Sequence, residues 1–188
     1  MSTLTNPLKQ RLAEAEPLFG LWLSLGSETA AEALAHAVRL TQYPTPGARD
    51  GLRGVAGAVR AGSYGMRRDY VQNANAQIAT IVQIESAKAV HEVEKIAATP
   101  GVDCLFIGPA DLAASLGHLG DPKHPEVHAA MSHVVAAAGK AGIATGIFAM
   151  DSAGARQYRE AGFRFIAVAA DVVWLLRATR QALQEVRS

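Results

Sequence analysis

Apolar residues in this chain gather in five short blocks, separated by longer stretches where they return every three or four positions. The blocks are FGLWLSL (19–25), IATIVQIE (78–85), DCLFIG (103–108), IATGIFA (143–149) and RFIAVAA (164–170). They are rich in Ile, Val, Leu and Phe, and most lack the strict alternation of a strand with one wet face. This pattern predicts strands covered on both sides, as in a parallel sheet flanked by helices. The stretches between them predict helices. In SAKAVHEVEKIAATPG (86–101), Ala87, Val90, Val93 and Ile96 recur at three-residue spacing, and Pro100-Gly101 stops the pattern. HPEVHAAMSHVVAAAGKAG (124–142) opens on Pro125 and has Gly142 just past its end. DSAGARQYREAG (151–162) offers Asp151 or Ser152 as a cap and Gly162 as a left-handed stop, and VVWLLRATRQALQEV (172–186) is the last helical pattern.

From residue 78 onward the order is therefore β-α-β-α-β-α-β-α, with Gly or Pro at the joins, which predicts an α/β architecture. The middle differs. Residues 38–70, VRLTQYPTPGARDGLRGVAGAVRAGSYGMRRDY, are rich in Gly, Pro and Arg and only weakly periodic. They predict loop with one short helix around Tyr70.

Composition narrows the class of function. The chain has 188 residues, of which 49% are apolar and 19% charged. That is enough for one packed core and too little for two ordinary domains, so a single domain over 1–188 is expected. Eighteen basic and seventeen acidic side chains give a net charge of +1. No field draws such a protein to nucleic acid or anionic membrane, and a small-molecule partner is expected instead. Cys104 is the single cysteine and lies in an apolar block, which reads as core packing in a reducing compartment. Neither an apolar leader in the first seventeen residues nor a bilayer-length apolar run is present, so a cytoplasmic protein is expected.

The chemistry sits where blocks end. In parallel α/β folds, ligands gather outside the carboxyl ends of the strands. Glu85 ends IATIVQIE and Asp111 follows LFIGPA, one strand-helix-strand step later. Two acids on one rim suit a hard cation such as Mg²⁺ or Mn²⁺, whose remaining positions water or substrate oxygens fill. Gln83 shares a face with Glu85 by the two-residue alternation of a strand. Gly108 lets a ligand approach the backbone, and Pro109 stiffens the turn that aims Asp111. Ordinary loop acids paired with Lys or Arg, or a helix cap at Asp111, would give the same spacing.

GLWLSLGS, QYPTPG with LRGVAG, VQIES, GVDCLFIGPADLAASLGHLGDPKHPEV and FIAVAAD together resemble the HpcH/HpaI aldolase family of metal-dependent pyruvate aldolases. The resemblance implies a (β/α)₈ TIM barrel whose subunits assemble as hexamers with exchanged C-terminal helices. It implies that Glu85 and Asp111 are the two metal-binding carboxylates, that Gln83 lies beside bound pyruvate, and that Gly108, Pro109 and Ala110 form the turn receiving its carboxylate. Trp22 corresponds to an aromatic lining the pocket. The implied activity is cleavage of 4-hydroxy-2-oxoacids to pyruvate and an aldehyde, with Mg²⁺, Mn²⁺ or another divalent ion as cofactor.

The chain departs from that pattern in one region. A barrel of this kind needs roughly 250 residues, and five strand candidates stand here against eight. AHA at 35–37 runs straight into VRLTQYPTPG, which resembles the segment following the family's fourth strand, so an internal deletion is placed after about residue 37. It takes with it the histidine that handles the aldehyde oxygen and the arginine that clamps the pyruvate carboxylate. His36 lies in a helical pattern and is no replacement, while Arg53 or Arg60 would need to reach the site from the Gly-rich middle. The expected function is thus a pyruvate-class lyase with impaired turnover. The alternatives are a non-catalytic oligomer partner that retains metal or oxoacid binding, and a fragment too incomplete to fold.

Other signals are weaker. His118, His124, His128 and His133 invite a zinc reading but look like polar positions near a loop and a helix face. GVAGAVRAG lacks the order of a dinucleotide-binding loop, and Arg67-Arg68 is too short a basic cluster for nucleic acid. Trp174, Leu175 and Leu176 open the last helix as either core residues or an inter-subunit anchor.

Overall fold

The five apolar blocks form one parallel sheet. This computed structural model describes residues 10, 18–22, 38–46, 50–56 and 58–187, the side chains of 18–22 and 61 excepted. The strands are β1 (Leu18–Trp22), β2 (Ile81–Ile84), β3 (Cys104–Ile107), β4 (Ala144–Ala149) and β5 (Phe165–Ala170). Their spatial order is β1-β5-β4-β3-β2. Strands β2 to β5 thus lie side by side in chain order, and β1 docks beyond β5. A closed barrel joins its first strand to its last in the same way; among the described residues β1 and β2 stand at opposite edges. The sheet is the shortened, five-stranded form of a (β/α)₈ architecture that the sequence implies.

Seven α-helices are described: α1 (Tyr70–Gln77), α2 (Ala87–His91), α3 (Val93–Ala97), α4 (Pro109–Ser115), α5 (Pro125–Ala141), α6 (Ser152–Glu160) and α7 (Asp171–Arg187). Their caps follow the sequence signals. Asp151 Oδ1 accepts the Gly154 N–H at 2.8 Å at the start of α6, and Gly142 adopts φ 72° at the end of α5, a left-handed turn that glycine makes without penalty. Two expectations need correction. The 86–101 pattern is two helices, because Glu92 leaves the helical region at φ −97°, ψ 9°. A further helix, α4, follows β3 directly, capped by Gly108 rather than by Asp111, the cap that the sequence offers as an alternative to a turn.

One face of the sheet is covered by helices. Ile84, Leu105, Ile107, Ile147 and Ile166 are fully buried there against Val93 and Ile96 of α3, Leu112 of α4 and Val127 and Val134 of α5. The opposite face is only partly closed. Its centre holds Cys104, Ala144 and Phe106, all buried, whereas Gln83 at the β2 edge is exposed. Gln83, Phe106, Gly146 and Phe165 lie at one register level across β2 to β5. Gly146 makes that level possible, since a Cβ there would stand 2.6 Å from Phe106 Cδ2 and 3.0 Å from the Phe165 carbonyl. The two rings instead close over it edge to face, centroids 5.6 Å apart. Cys104 packs as expected, and burial pushes its thiol up to about 12.

Described residues of the Gly-rich middle make specific long-range contacts. Asn75 of α1 accepts from the Tyr43 N–H at 2.7 Å and donates to its carbonyl at 2.8 Å. The Arg53 guanidinium lies 4.3 Å above the Tyr43 ring and donates to the Tyr70 hydroxyl at 2.7 Å. A 3₁₀ segment at Arg60–Gly65 precedes α1. Core packing does not account for Trp174, Leu175 and Leu176: α7 has no buried residue, and these three are 41%, 68% and 53% exposed. Among the described residues, no helix is long and apolar enough to cross a membrane.

Two outcomes follow from this packing. Gly146→Ala forces Phe106 and the β5 backbone apart and is expected to lower stability by about 1–3 kcal/mol in thermal or urea melts. Iodoacetamide in mildly alkaline buffer should leave Cys104 unmodified in the native protein and alkylate it only after unfolding, as mass spectrometry would record.

Candidate functional site

The in-register pairing of β2 and β3 brings the predicted site residues together. Ile84 pairs with Ile107, so the next residues, Glu85 and Gly108, face each other at the carboxyl ends of adjacent strands. The Gly108 N–H donates to the Ile84 carbonyl at 3.4 Å, continuing the ladder one step. Gly108 is also the N-cap of α4, with Pro109 at its first position and Asp111 in its first turn. Pro costs nothing there because that N–H would be unpaired in any case, and a carboxylate is stabilised by the positive end of the helix. Glu85 and Asp111 thus stand on one rim of the sheet.

Glycine at 108 is required by this arrangement. A Cβ would meet Glu85 Oε2 at 2.9 Å, Gln83 Nε2 at 3.1 Å and Glu85 Cβ at 3.2 Å. The Gln83 amide donates to Glu85 Oε2, the same-face relation that strand alternation predicts. Partial burial holds the Glu85 carboxyl above its usual range, the negative charge of Asp111 raises it further, and the Gln83 hydrogen bond opposes both. The mutual repulsion of two acids is the physical signal of a site that gains from a cation. Two carboxylates on one rim, with Asp111 exposed, offer hard oxygen atoms of the kind that fit Mg²⁺ or Mn²⁺.

Not every predicted residue joins them. The Trp22 backbone pairs with Ala170 in β1, at the opposite edge of the sheet from β2, and its side chain lies outside the described residues, as does His36. Arg53 is engaged with Tyr43 and Tyr70 rather than with the carboxylates, and Arg60 is exposed in the 3₁₀ segment. Sequence reasoning also missed a contact that depends on α4: the Ala87 N–H, two residues past Glu85, donates to Ser115 Oγ at 3.0 Å. A serine four residues after Asp111 is the only hint of it in the chain.

Two of the four histidines meet, together with Glu126. His118 Nε2 lies 2.8 Å from Glu126 Oε2, the His118 and His124 rings stack at 3.5 Å, and their ligand-type atoms lie within 4.8 Å of one another. One nitrogen of each ring already serves the start of α5. His124 Nδ1 accepts the Glu126 N–H as the cap of α5, and His118 holds the Glu126 carboxyl below its usual range by hydrogen bonding. His133 instead lies 3.4 Å from Glu94. His128 lines a groove of about 300 Å³ with Met131, Tyr158 and Phe163, in the helical layer and away from the strand ends.

Residues 27–178 match the family model described as HpcH/HpaI aldolase/citrate lyase. The chain is 58% identical to a hydroxypyruvate/pyruvate aldolase of Paraburkholderia phytofirmans, in an alignment of 260 positions covering 100% of both proteins. With 188 residues here, that alignment includes positions that this chain does not fill. It is 47% identical to a 5-keto-4-deoxy-D-glucarate aldolase of Klebsiella pneumoniae, over 80% of this chain and 57% of that protein, so it spans little more than half of that relative's length. The crystal structure of an HpcH/HpaI aldolase/citrate lyase family protein from Burkholderia cenocepacia J2315 superposes with a TM-score of 0.86 at 53% identity, covering 98% of this chain and 100% of that one.

The raised Glu85 carboxyl gives a pH test. Below the ordinary value of 4.5 the group is protonated in both the folded and unfolded states. As pH rises, the unfolded chain ionises first, so the folded state loses stability until the folded pKa is passed. In chelator, Glu85→Gln should therefore gain on the wild type in thermal melts from acidic pH toward neutrality.

Proposed function

Because this chain belongs to the HpcH/HpaI aldolase/citrate lyase family, we propose that it is a divalent-metal-dependent lyase of the pyruvate aldolase class with impaired turnover. The observation that carries this reading is the pairing of Glu85 with Asp111 beside Gln83 and the side-chain-free Gly108. Glu85 and Asp111 hold the ion in this reading, with Mg²⁺ or Mn²⁺ suited to their oxygens. When bound, such an ion stabilises negative charge developing on the oxygens of a 2-oxoacid. Gln83 orients Glu85 and lies beside the substrate, and the backbone at Gly108, Pro109 and Ala110 receives the substrate carboxylate.

Cleavage of a 4-hydroxy-2-oxoacid to pyruvate and an aldehyde also needs a base for the 4-hydroxyl proton and benefits from a cation on the carboxylate. The family's histidine and arginine for these tasks have no counterpart by motif in this sequence. Among the described residues, Arg53 is engaged elsewhere and His118 and His124 serve the start of α5. Loss of a positioned acid–base group typically removes a factor of about 10²–10⁴.

A non-catalytic oligomer partner is a second reading, favoured by α7. Val172, Leu175, Leu176, Leu183 and Val186 are each at least half exposed on that helix. A homo-oligomer that covers them would fit both this helix and the assembly implied by the resemblance.

Mg²⁺ or Mn²⁺ is expected to raise the melting temperature of the wild type, and Glu85→Ala or Asp111→Ala to abolish that rise. Pyruvate release from a 4-hydroxy-2-oxoacid, followed with a coupled dehydrogenase, should run at least about 100-fold below the Paraburkholderia relative assayed in parallel. A comparable rate would overturn the impairment; an absent metal shift would overturn the metal site.

A further inference from the structure

We propose that Ser115 is a positioning residue that fixes the separation of the two carboxylates and thereby favours a small divalent cation; this rests on the reading of Glu85 and Asp111 as its ligands. Asp111 and Ser115 are four residues apart on α4, one turn along the same helix face. Ser115 Oγ accepts the Ala87 N–H at 3.0 Å, and Ala87 opens α2 two residues after Glu85. The first N–H groups of a helix have no partner within it. In α2, Ser86 Oγ takes that of Ala89 at 3.1 Å, and Ser115 reaches over from α4 to take that of Ala87.

The turn carrying Glu85 is therefore tied to the helix carrying Asp111 from two sides. On the strand side, Gly108 donates to Ile84 and packs its backbone against the Glu85 side chain. On the helix side, Ser115 joins α4 to the residue that follows Ser86. Neither hydrogen bond uses an oxygen of either carboxylate, so both acids remain available to an ion while their supports are joined. A locked pair discriminates by size. Mg²⁺ requires short bonds in near-octahedral geometry, whereas Ca²⁺ accepts more ligands at longer and more variable distances. Freeing α4 from the Glu85 turn should harm the smaller ion more.

The test uses the full chain as wild type, Ser115→Ala and Ser115→Thr, with Mg²⁺ and Ca²⁺ affinities from isothermal titration calorimetry and melting curves in chelator. Ser115→Ala should weaken Mg²⁺ by about fivefold or more and Ca²⁺ by less than about twofold, while Ser115→Thr, which retains the hydroxyl, restores the Mg²⁺ preference. A hydroxyl with a structural role alone would lower melting in chelator and leave the ratio of the two affinities unchanged. That result, or a threonine variant that behaves as the alanine one, overturns the role of Ser115. A wild type that binds neither ion, or whose binding survives Glu85→Ala and Asp111→Ala, overturns instead the ligand assignment beneath it.

Discussion

The candidate site depends on one steric constraint: a carboxylate side chain at the end of β2 packs against a backbone that carries no side chain at the end of β3. Parallel pairing sets Glu85 opposite Gly108, and the space a Cβ would fill at 108 is taken by the Glu85 and Gln83 side chains. From that contact the rest of the rim follows. The chain can turn at once into α4, Pro109 can start the helix without losing a hydrogen bond, and Asp111 falls within the first turn, near enough for its charge to raise the Glu85 carboxyl. Two like charges are thereby held together by backbone geometry against their repulsion, an arrangement that a bound cation relieves.

Among the described residues, the sheet that presents this rim has two edges, β1 and β2. In a closed barrel each strand is paired on both sides and the inner face is filled from all around. Here the helix-covered face retains a continuous apolar layer, while the other face is sealed only at its centre, where Phe106 and Phe165 close over Gly146. At the β2 edge that seal fails and Gln83 is exposed. The same edge carries Glu85, so the site borders the β2 edge of the described sheet. Glu85 and Asp111, the two acids of the candidate site, follow strands that the described residues retain.

How legible all this was depends on the physical range of each signal. Apolar blocks locate strands to within a few residues because burial of both faces leaves a continuous run, as at Cys104–Ile107. The caps at Asp151 and Gly142 are local and were readable. The break at Glu92 was not, since the spacing from Ala87 to Ile96 suits one helix as well as two. Nor were the contacts that join distant parts of the 38–77 stretch, Arg53 stacking on Tyr43 and Asn75 bonding its backbone across about thirty residues of chain. The four histidines illustrate the limit from the other side: equal in sequence, they separate in space into a stacked pair with Glu126, a partner of Glu94 and a groove-lining side chain.

What the sequence determined by itself was everything carried by period, residue type and strand end: an α/β chain, a parallel sheet, two acids following successive strands, and Gln83 on the face of Glu85. These are consequences of the two-residue repeat of a strand and the local demands of turns, and they need no knowledge of what lies across the molecule. Only the tertiary structure decided that β1 joins β5, that β1 and β2 stand at opposite edges of the five described strands, and that Ser115 reaches the turn after Glu85. Those facts depend on register and approach between segments distant in the chain, where a displacement of one residue turns a side chain to the opposite face, and no local pattern encodes that choice.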